Sequence, residues 1–185
     1  RIAGPAYSGG MDGFTTKTPK RPGLDYLHGE AAPDHGGMME ITPRIQWIRM
    51  ELPFSLKFIN VWLIEDDDGW TIVDTGMPLK ETRDAWKAIL ESRVTPEKPL
   101  KRVIVTHMHP DHVGCAGWLC YKYGAELWMS RLEYTTCRML ISDTGREAPE
   151  AGVSFYRKAG WDEAALDNYR ERFGGFGRGV SKMPD

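Results

Sequence analysis

Three of the five histidines in this chain fall within six residues, in the run Thr106-His107-Met108-His109-Pro110-Asp111-His112. Imidazole nitrogen and carboxylate oxygen are donors that zinc accepts, and catalytic zinc sites keep one position open for water. Pro110 biases His109 away from the helical region and toward an extended backbone. With His107 extended as well, the strand period of two sends both imidazoles to one side and Met108 toward the core, so His107 and His109 are expected to share one metal. Asp111 and His112 follow Pro110 at the mouth of the next helix, and their different directions suit a second centre close by. A bound metal brings the pKa of its water down to about 7, and two ions about 3.5 to 4 Å apart can hold both nucleophile and leaving group. The expected chemistry is hydrolysis through a metal-bound hydroxide, with Asp111 both a ligand and the group that orients the nucleophile.

The elements that must position these residues alternate between strand and helix, which places the chain in the α/β class. Arg44 to Pro53 is strand-like. Asn60 to Glu65 and Trp70 to Asp74 read as a hairpin, joined by Asp66-Asp67-Asp68-Gly69, whose residues supply turn conformations at low cost. That acidic run lacks the alternating ligands and distant Glu of a calcium loop. Pro78 opens a helix with Leu79, Trp86, Ile89 and Leu90 near the helical period. Leu100 to Val105 is a short buried strand, so the histidine run emerges at a strand's carboxyl end, where open α/β sheets bind ligands. A helix over Val113 to Tyr123 and a strand over Leu127 to Met129 follow. Ser130 with Glu133 forms a capping box that opens a helix to about Ile141. Residues 1–40 are rich in turn formers and read as an extended or partly disordered arm. His28 and His35 lie in that arm and are left outside the site. Residues 143–185 read as two helical pieces around Trp161 and a loose Gly-rich end from Gly174 to Gly179, which does not fit a dinucleotide-binding G-x-G-x-x-G.

The string His107-x-His109-x-Asp111-His112 after a strand, with Thr71-Ile72-Val73-Asp74-Thr75-Gly76 upstream, resembles the metallo-β-lactamase superfamily. The resemblance implies an αββα sandwich, with His107 and His109 on a first metal, Asp111 and His112 on a second, and Asp74 supporting the metal loop from behind by orienting a ligand imidazole. It implies two zinc ions in the complete site, with iron or manganese as alternatives, and a small-molecule acyl substrate. Members normally add a third histidine, a bridging aspartate and a final histidine from the second half of the fold, whereas His112 is the last histidine here. The resemblance therefore covers residues 41–142, the amino-terminal half of the sandwich, with 143–185 resembling a helical insertion. A half sandwich would expose hundreds of square ångströms of apolar surface, which soluble monomers rarely tolerate. The chain is accordingly expected to need the missing half of the fold, a partner chain or a second copy of itself as a homo-oligomer. The absence of Met at position 1 adds the expectation of a processed, trimmed or fragmentary chain.

Within that resemblance the leading function is a metal-dependent hydrolase of an ester, thioester, lactone or lactam, similar to hydroxyacylglutathione hydrolase-like members. A second class is an iron-dependent sulfur dioxygenase of the same superfamily. A third is a truncated non-catalytic metal-binding module. The flavodiiron branch fits less well, because His109 stands where its acidic residue would be. Cys115, three residues after His112, is a small packing residue, with a metal contact or reactive thiol as its alternative. Trp118, Trp128 and Tyr134 read as core or pocket wall.

Composition sets the outer limits. With 24 Lys and Arg against 26 Asp and Glu, the net charge is -2, which gives no support for a nucleic-acid partner. A 41% hydrophobic share suits one folded domain and is too high for a wholly disordered chain of 185 residues. Three cysteines with no C-x-x-C pair indicate reduced thiols rather than a disulfide framework. No apolar run approaches the roughly 18 residues of a membrane span, and no signal-peptide core opens the chain, so a cytoplasmic location without membrane contact is expected.

Overall fold

The computed structural model describes Gly23, Asp25 and residues 27–184. Arg1–Ala32 and Pro33–Asp185 form separate units. The described part of the first is a turn over 27–30, closed by the Ala31 N–H on the His28 carbonyl at 2.9 Å. Most of the expected arm, residues 1–22, lies outside the described residues.

The second unit is built on one six-stranded sheet: β1 (Met38–Thr42), β2 (Ile45–Glu51), β3 (Phe58–Asp66), β4 (Gly69–Val73), β5 (Leu100–Val105) and β6 (Glu126–Met129), paired in sequence order. Pairing is antiparallel from β1 to β4 and parallel from β4 to β6. The two parallel connections need helical crossovers. These are α1 (Lys80–Glu91), and the pair α2 (Pro110–Val113) and α3 (Ala116–Tyr123). Then α4 (Arg131–Ser142) packs Cys137 into the main core, and α5 (Glu150–Lys158) and α6 (Glu163–Arg172) lead to a short 3₁₀ turn at Phe176–Gly179.

The sheet's two faces differ as the alternation of each strand dictates. On one face Ile48, Met50, Val61, Leu63, Ile72, Val103 and Val105 are buried against Trp86, Ile89 and Leu90 of α1 and Leu119 of α3. On the other, the strand register sets Met39, Trp47, Trp62, Val73, Ile104 and Trp128 side by side across all six strands. All six are half-buried or exposed, and Trp128 is 50% exposed. Of the expected roles of core or pocket wall, Trp128 therefore takes the second: it stands on the open face, lining a hollow with Ile104, Leu127 and Met129, with the Arg102 guanidinium 5.2 Å from its ring centre.

Two segments differ from the sequence reading. The first strand begins at Met38, inside the stretch expected as an arm, and His35 bridges to Arg49 just before it. This edge strand pairs on one side only, and its register slips between Glu40 and Thr42, so no clean alternation marks it. The Gly-rich end is not loose. The Ser181 N–H donates to the Gly114 carbonyl at 2.8 Å, Ser181 Oγ accepts from the Trp118 N–H at 3.1 Å, and Met183 joins the core at 3% exposure. The small residues of α3 make this return possible, since a Cβ on Gly117 would lie 1.8 Å from the Lys182 carbonyl oxygen. Among the described residues no helix is long and apolar enough to cross a membrane.

Candidate metal centre

Parallel pairing sets the carboxyl ends of β4 and β5 side by side: Val73 aligns with Ile104, and the Asp74 N–H donates to the Ile104 carbonyl at 2.9 Å. The chain leaving β4 turns sharply. Asp74 is the one non-glycine at positive φ among the described residues, at +57°, a conformation that aspartate tolerates better than most residues. The turn aims its carboxylate across at the segment leaving β5. There Oδ1 accepts the Thr106 N–H at 2.9 Å, and Oδ2 accepts the Thr106 hydroxyl at 2.7 Å and His112 Nδ1 at 2.8 Å. Thr75 braces the same junction from within the core. Its hydroxyl donates to the His112 carbonyl at 2.7 Å and accepts the Cys115 N–H at 3.0 Å.

These bonds fix which nitrogens carry protons. A carboxylate only accepts, so Nδ1 of His112 is the donor and Nε2 of the neutral ring keeps its lone pair. The Thr106 hydroxyl gives its single proton to Asp74, so it accepts from Nδ1 of His107, 3.0 Å away. The lone pair of His107 then also sits on Nε2, and Nδ1 of His109, 3.1 Å from it, donates there. Asp74 thus sets one imidazole directly and a second through Thr106.

The sequence expected His107, His109, Asp111 and His112 to converge, and the structure brings them together. His109 is extended at φ −60° and ψ 142°, and Pro110 opens α2, as its preset φ favours. Met108 packs on the core between them. Ring centres lie 4.7 Å apart for His107 and His109, and 3.9 Å for His107 and His112. Asp111 Oδ2 stands 3.6 Å from His112 Nε2, too far for a hydrogen bond, so that contact leaves the carboxylate free for another partner.

The donor types fit a divalent cation. Two nitrogens each about 2.0 to 2.1 Å from one tetrahedral ion stand about 3.3 Å apart, close to the 3.1 Å between His107 Nε2 and His109 Nδ1, and both could ligate once His109 carries its proton on Nε2 instead of Nδ1. The set is partial: among the described residues no group of three or more His, Cys, Asp or Glu is arranged to hold an ion by itself. Cys115 does not add to it. Its Sγ is buried and donates to the Met77 carbonyl at 3.2 Å, and burial pushes the thiol up to about 12. Burial likewise pushes Cys120 up to about 11 and raises Cys137. We therefore predict that all three cysteines resist iodoacetamide in the native protein near pH 8 and react only after denaturation, as thiolate chemistry requires. Mass spectrometry reads this, and a singly labelled native chain would contradict it.

Charge in the cluster is set by the same contacts. Burial alone would raise the Asp74 carboxyl, but bonds from His112 and Thr106 outweigh it and hold it below the usual 3.8. Burial alone would lower His112, yet its bond to Asp74 and the charges of Asp74 and Asp111 raise it above 6.5. His107 moves the other way, lowered by burial and by its neighbours His112 and His109, which keeps its lone pair available near neutrality. A depressed carboxyl contributes stability above its unfolded pKa and loses it as pH falls through the folded one; a raised imidazole contributes below its unfolded pKa and loses it as pH rises through the folded one. In the metal-free protein, the advantage of wild type over Asp74→Asn should therefore be largest between about pH 4 and 6.5 and shrink on both sides. Urea midpoints across that range measure it, and a gap independent of pH would rule it out.

Sequence reasoning missed three contributors. Thr75 and Thr106 sit beside named residues, but nothing in their spacing marks a hydroxyl that sets a tautomer. Glu133 was legible as half of a capping box, and its amide does bond Ser130 Oγ at 3.2 Å. Its carboxylate, however, accepts the Met108 N–H at 2.8 Å, between the two paired histidines.

A sequence profile described as the metallo-beta-lactamase superfamily matches residues 55–182, more than half of the chain. The chain belongs to that superfamily. Its six-stranded sheet with one helical layer is the amino-terminal half of the αββα sandwich. A beta-lactamase domain protein from Burkholderia ambifaria shares 40% identity with it at a TM-score of 0.59, over 64% of this chain and 39% of that one. The metallo-beta-lactamase family protein TTHA1429 from Thermus thermophilus, at 22% identity and TM-score 0.57, covers 79% of this chain and 46% of that one and shares the fold. Among curated proteins, a linear primary-alkylsulfatase from Pseudomonas sp. (strain ATCC 19151) is 41% identical over 51 residues, 28% of this chain and 9% of the relative. The chain thus spans less than half of each of these proteins.

Proposed function

We propose that this chain supplies the amino-terminal half of a metal-dependent hydrolase acting on an ester, thioester, lactone or lactam. The observation that carries the reading is the convergence of His107, His109, Asp111 and His112 at the end of β5, held from behind by Asp74. In this superfamily member, His107 and His109 would hold one divalent cation, zinc in the first instance, and Asp111 with His112 a second. When bound, such an ion supplies Lewis acidity and lowers the pKa of water to about 7. The chain's own residues do the rest. Asp74 and Thr106 keep Nε2 of His107 and His112 unprotonated and aimed outward. Asp111, uncommitted by any short bond to His112, orients the attacking water and takes up its proton.

The second part of the proposal concerns the open face. The row Met39, Trp47, Trp62, Val73, Ile104 and Trp128 supports a second half of the fold, a partner chain or another copy packing there and bringing the remaining donors. A stable monomer holding two stoichiometric zinc ions through this chain alone would overturn that part, as read by sedimentation and metal analysis.

The test of the function is metal removal. Ester, thioester, lactone and lactam turnover should vanish on complete chelation and return with zinc; activity that survives metal removal sinks the proposal. The similarity to an alkylsulfatase favours one further reading, sulfate-ester hydrolysis, which the same assay distinguishes by release of inorganic sulfate. An iron-dependent sulfur dioxygenase would instead retain iron and consume oxygen with a persulfide substrate.

A further inference from the structure

We infer that Glu133 is a positioning residue for the His107 and His109 pair, acting through the Met108 amide; the inference rests on the proposed metal reading. Glu133 is the third residue of α4, where a capping-box carboxylate ordinarily turns back onto the cap residue's own N–H. Here Oε2 is turned to the segment leaving β5 and accepts the Met108 N–H at 2.8 Å, a contact across 25 residues of sequence. The helix under this carboxylate is itself fixed. Ser130 Oγ accepts the Glu133 N–H, Cys137 is fully buried in the core, and the Tyr134 hydroxyl donates to the Pro184 carbonyl at 2.8 Å.

Met108 is held from two directions. Its side chain packs on the core cluster, and its amide is tied to a charged acceptor, a class of bond roughly twice as strong as a neutral one. The peptide between His107 and Met108 therefore has one orientation, and with it the angle between the flanking imidazoles. Asp74 and Thr106 fix the proton positions and ring planes of His107 and His112, but His109 receives no bond from either. On the helix side the His109 carbonyl accepts the His112 and Val113 N–H groups at 2.8 and 2.9 Å, and on the strand side the Glu133 bond to the Met108 N–H is the neighbouring tie, so losing it should cost the His107 and His109 pair its shared direction. Outer partners of metal ligands commonly change metal affinity about 10- to 100-fold.

The experiment compares Glu133→Gln, Glu133→Met and Glu133→Asp in the full chain, using cobalt(II) as the probe. Gln keeps an acceptor at the same reach, Met keeps the length without an acceptor, and Asp keeps the charge one methylene short. The Met and Asp variants should raise the cobalt dissociation constant about tenfold or more. They should also weaken the visible d–d bands and speed exchange of the Met108 amide in the metal-free protein. The Gln variant should stay within about threefold of wild type, since an amide oxygen still accepts. A purely structural Glu133 would lower the thermal midpoint and leave the cobalt constant of the folded protein unchanged, which would overturn the inference. Equal loss in the Gln and Met variants would overturn it too, because the acceptor would then have no effect of its own. Wild-type protein that binds no cobalt would instead overturn the metal reading, and this inference with it.

Discussion

Asp111→Ala is expected to lower turnover by about 10² to 10⁴-fold, the usual contribution of a positioned general acid or base, with KM changed far less. The expectation follows from geometry. Asp111 is half-buried at the start of α2, beside His112 but 3.6 Å from its Nε2, so this neighbour does not satisfy the carboxylate. Asp74, by contrast, has both oxygens committed to Thr106 and His112 and cannot reach outward as well. Of the two carboxylates in the cluster, only Asp111 is placed to meet a water or a metal on the open side. Because it is also a proposed ligand, metal content must be measured with turnover. Asp111→Asn provides the control, since it keeps the shape and an oxygen donor while removing proton uptake. Unchanged turnover in Asp111→Ala at equal metal occupancy would remove the role assigned to this residue.

The cluster was legible before the structure because its chemistry is local. Four donors within six residues, a proline that fixes the backbone between them and an apolar strand before them define direction without tertiary information. Asp74 was legible only by resemblance, since its partners Thr106 and His112 come from a different element and are brought close by the parallel pairing of β4 and β5. Thr75, Thr106 and Glu133 were hidden for the same reason in stronger form. Each acts through a contact between elements, and a threonine or a capping glutamate has an ordinary local explanation that needs no such contact. The fold followed a similar division. The central strands announced themselves as apolar runs bounded by turn residues, whereas β1, an edge strand with a slipped register, did not. The return of Ser181 to Met183 onto α3 was half visible, in the small residues Gly114 and Gly117, but the segment that fills the space they leave could not be named from the sequence.

Trp86→Ala should cost about 3 to 5 kcal/mol of stability, at the upper end for a single core truncation. Trp86 is the largest fully buried side chain among the described residues, and it joins the main core to the turn that carries the site. Its indole Nε1 donates to the Thr75 carbonyl at 2.8 Å, directly behind Asp74 and one residue before Gly76, whose φ of +79° lets the chain turn under α1. Removing the ring leaves a cavity and also orphans the Thr75 carbonyl, a loss worth about 1 to 3 kcal/mol alone. Trp86→Phe separates the two effects, because it restores most of the volume but not the donor. Urea unfolding should place Phe between wild type and Ala. The same series should reach the site: with the Thr75 carbonyl released, the left-handed turn at Asp74 loses a brace, and the bond to His112 should loosen in both variants. The Nδ1 proton of His112, followed by NMR in metal-free protein, reports this directly. An Ala variant as stable as wild type, or one whose His112 Nδ1 proton exchanges no faster, would show that the core and the metal cluster are not linked through this indole.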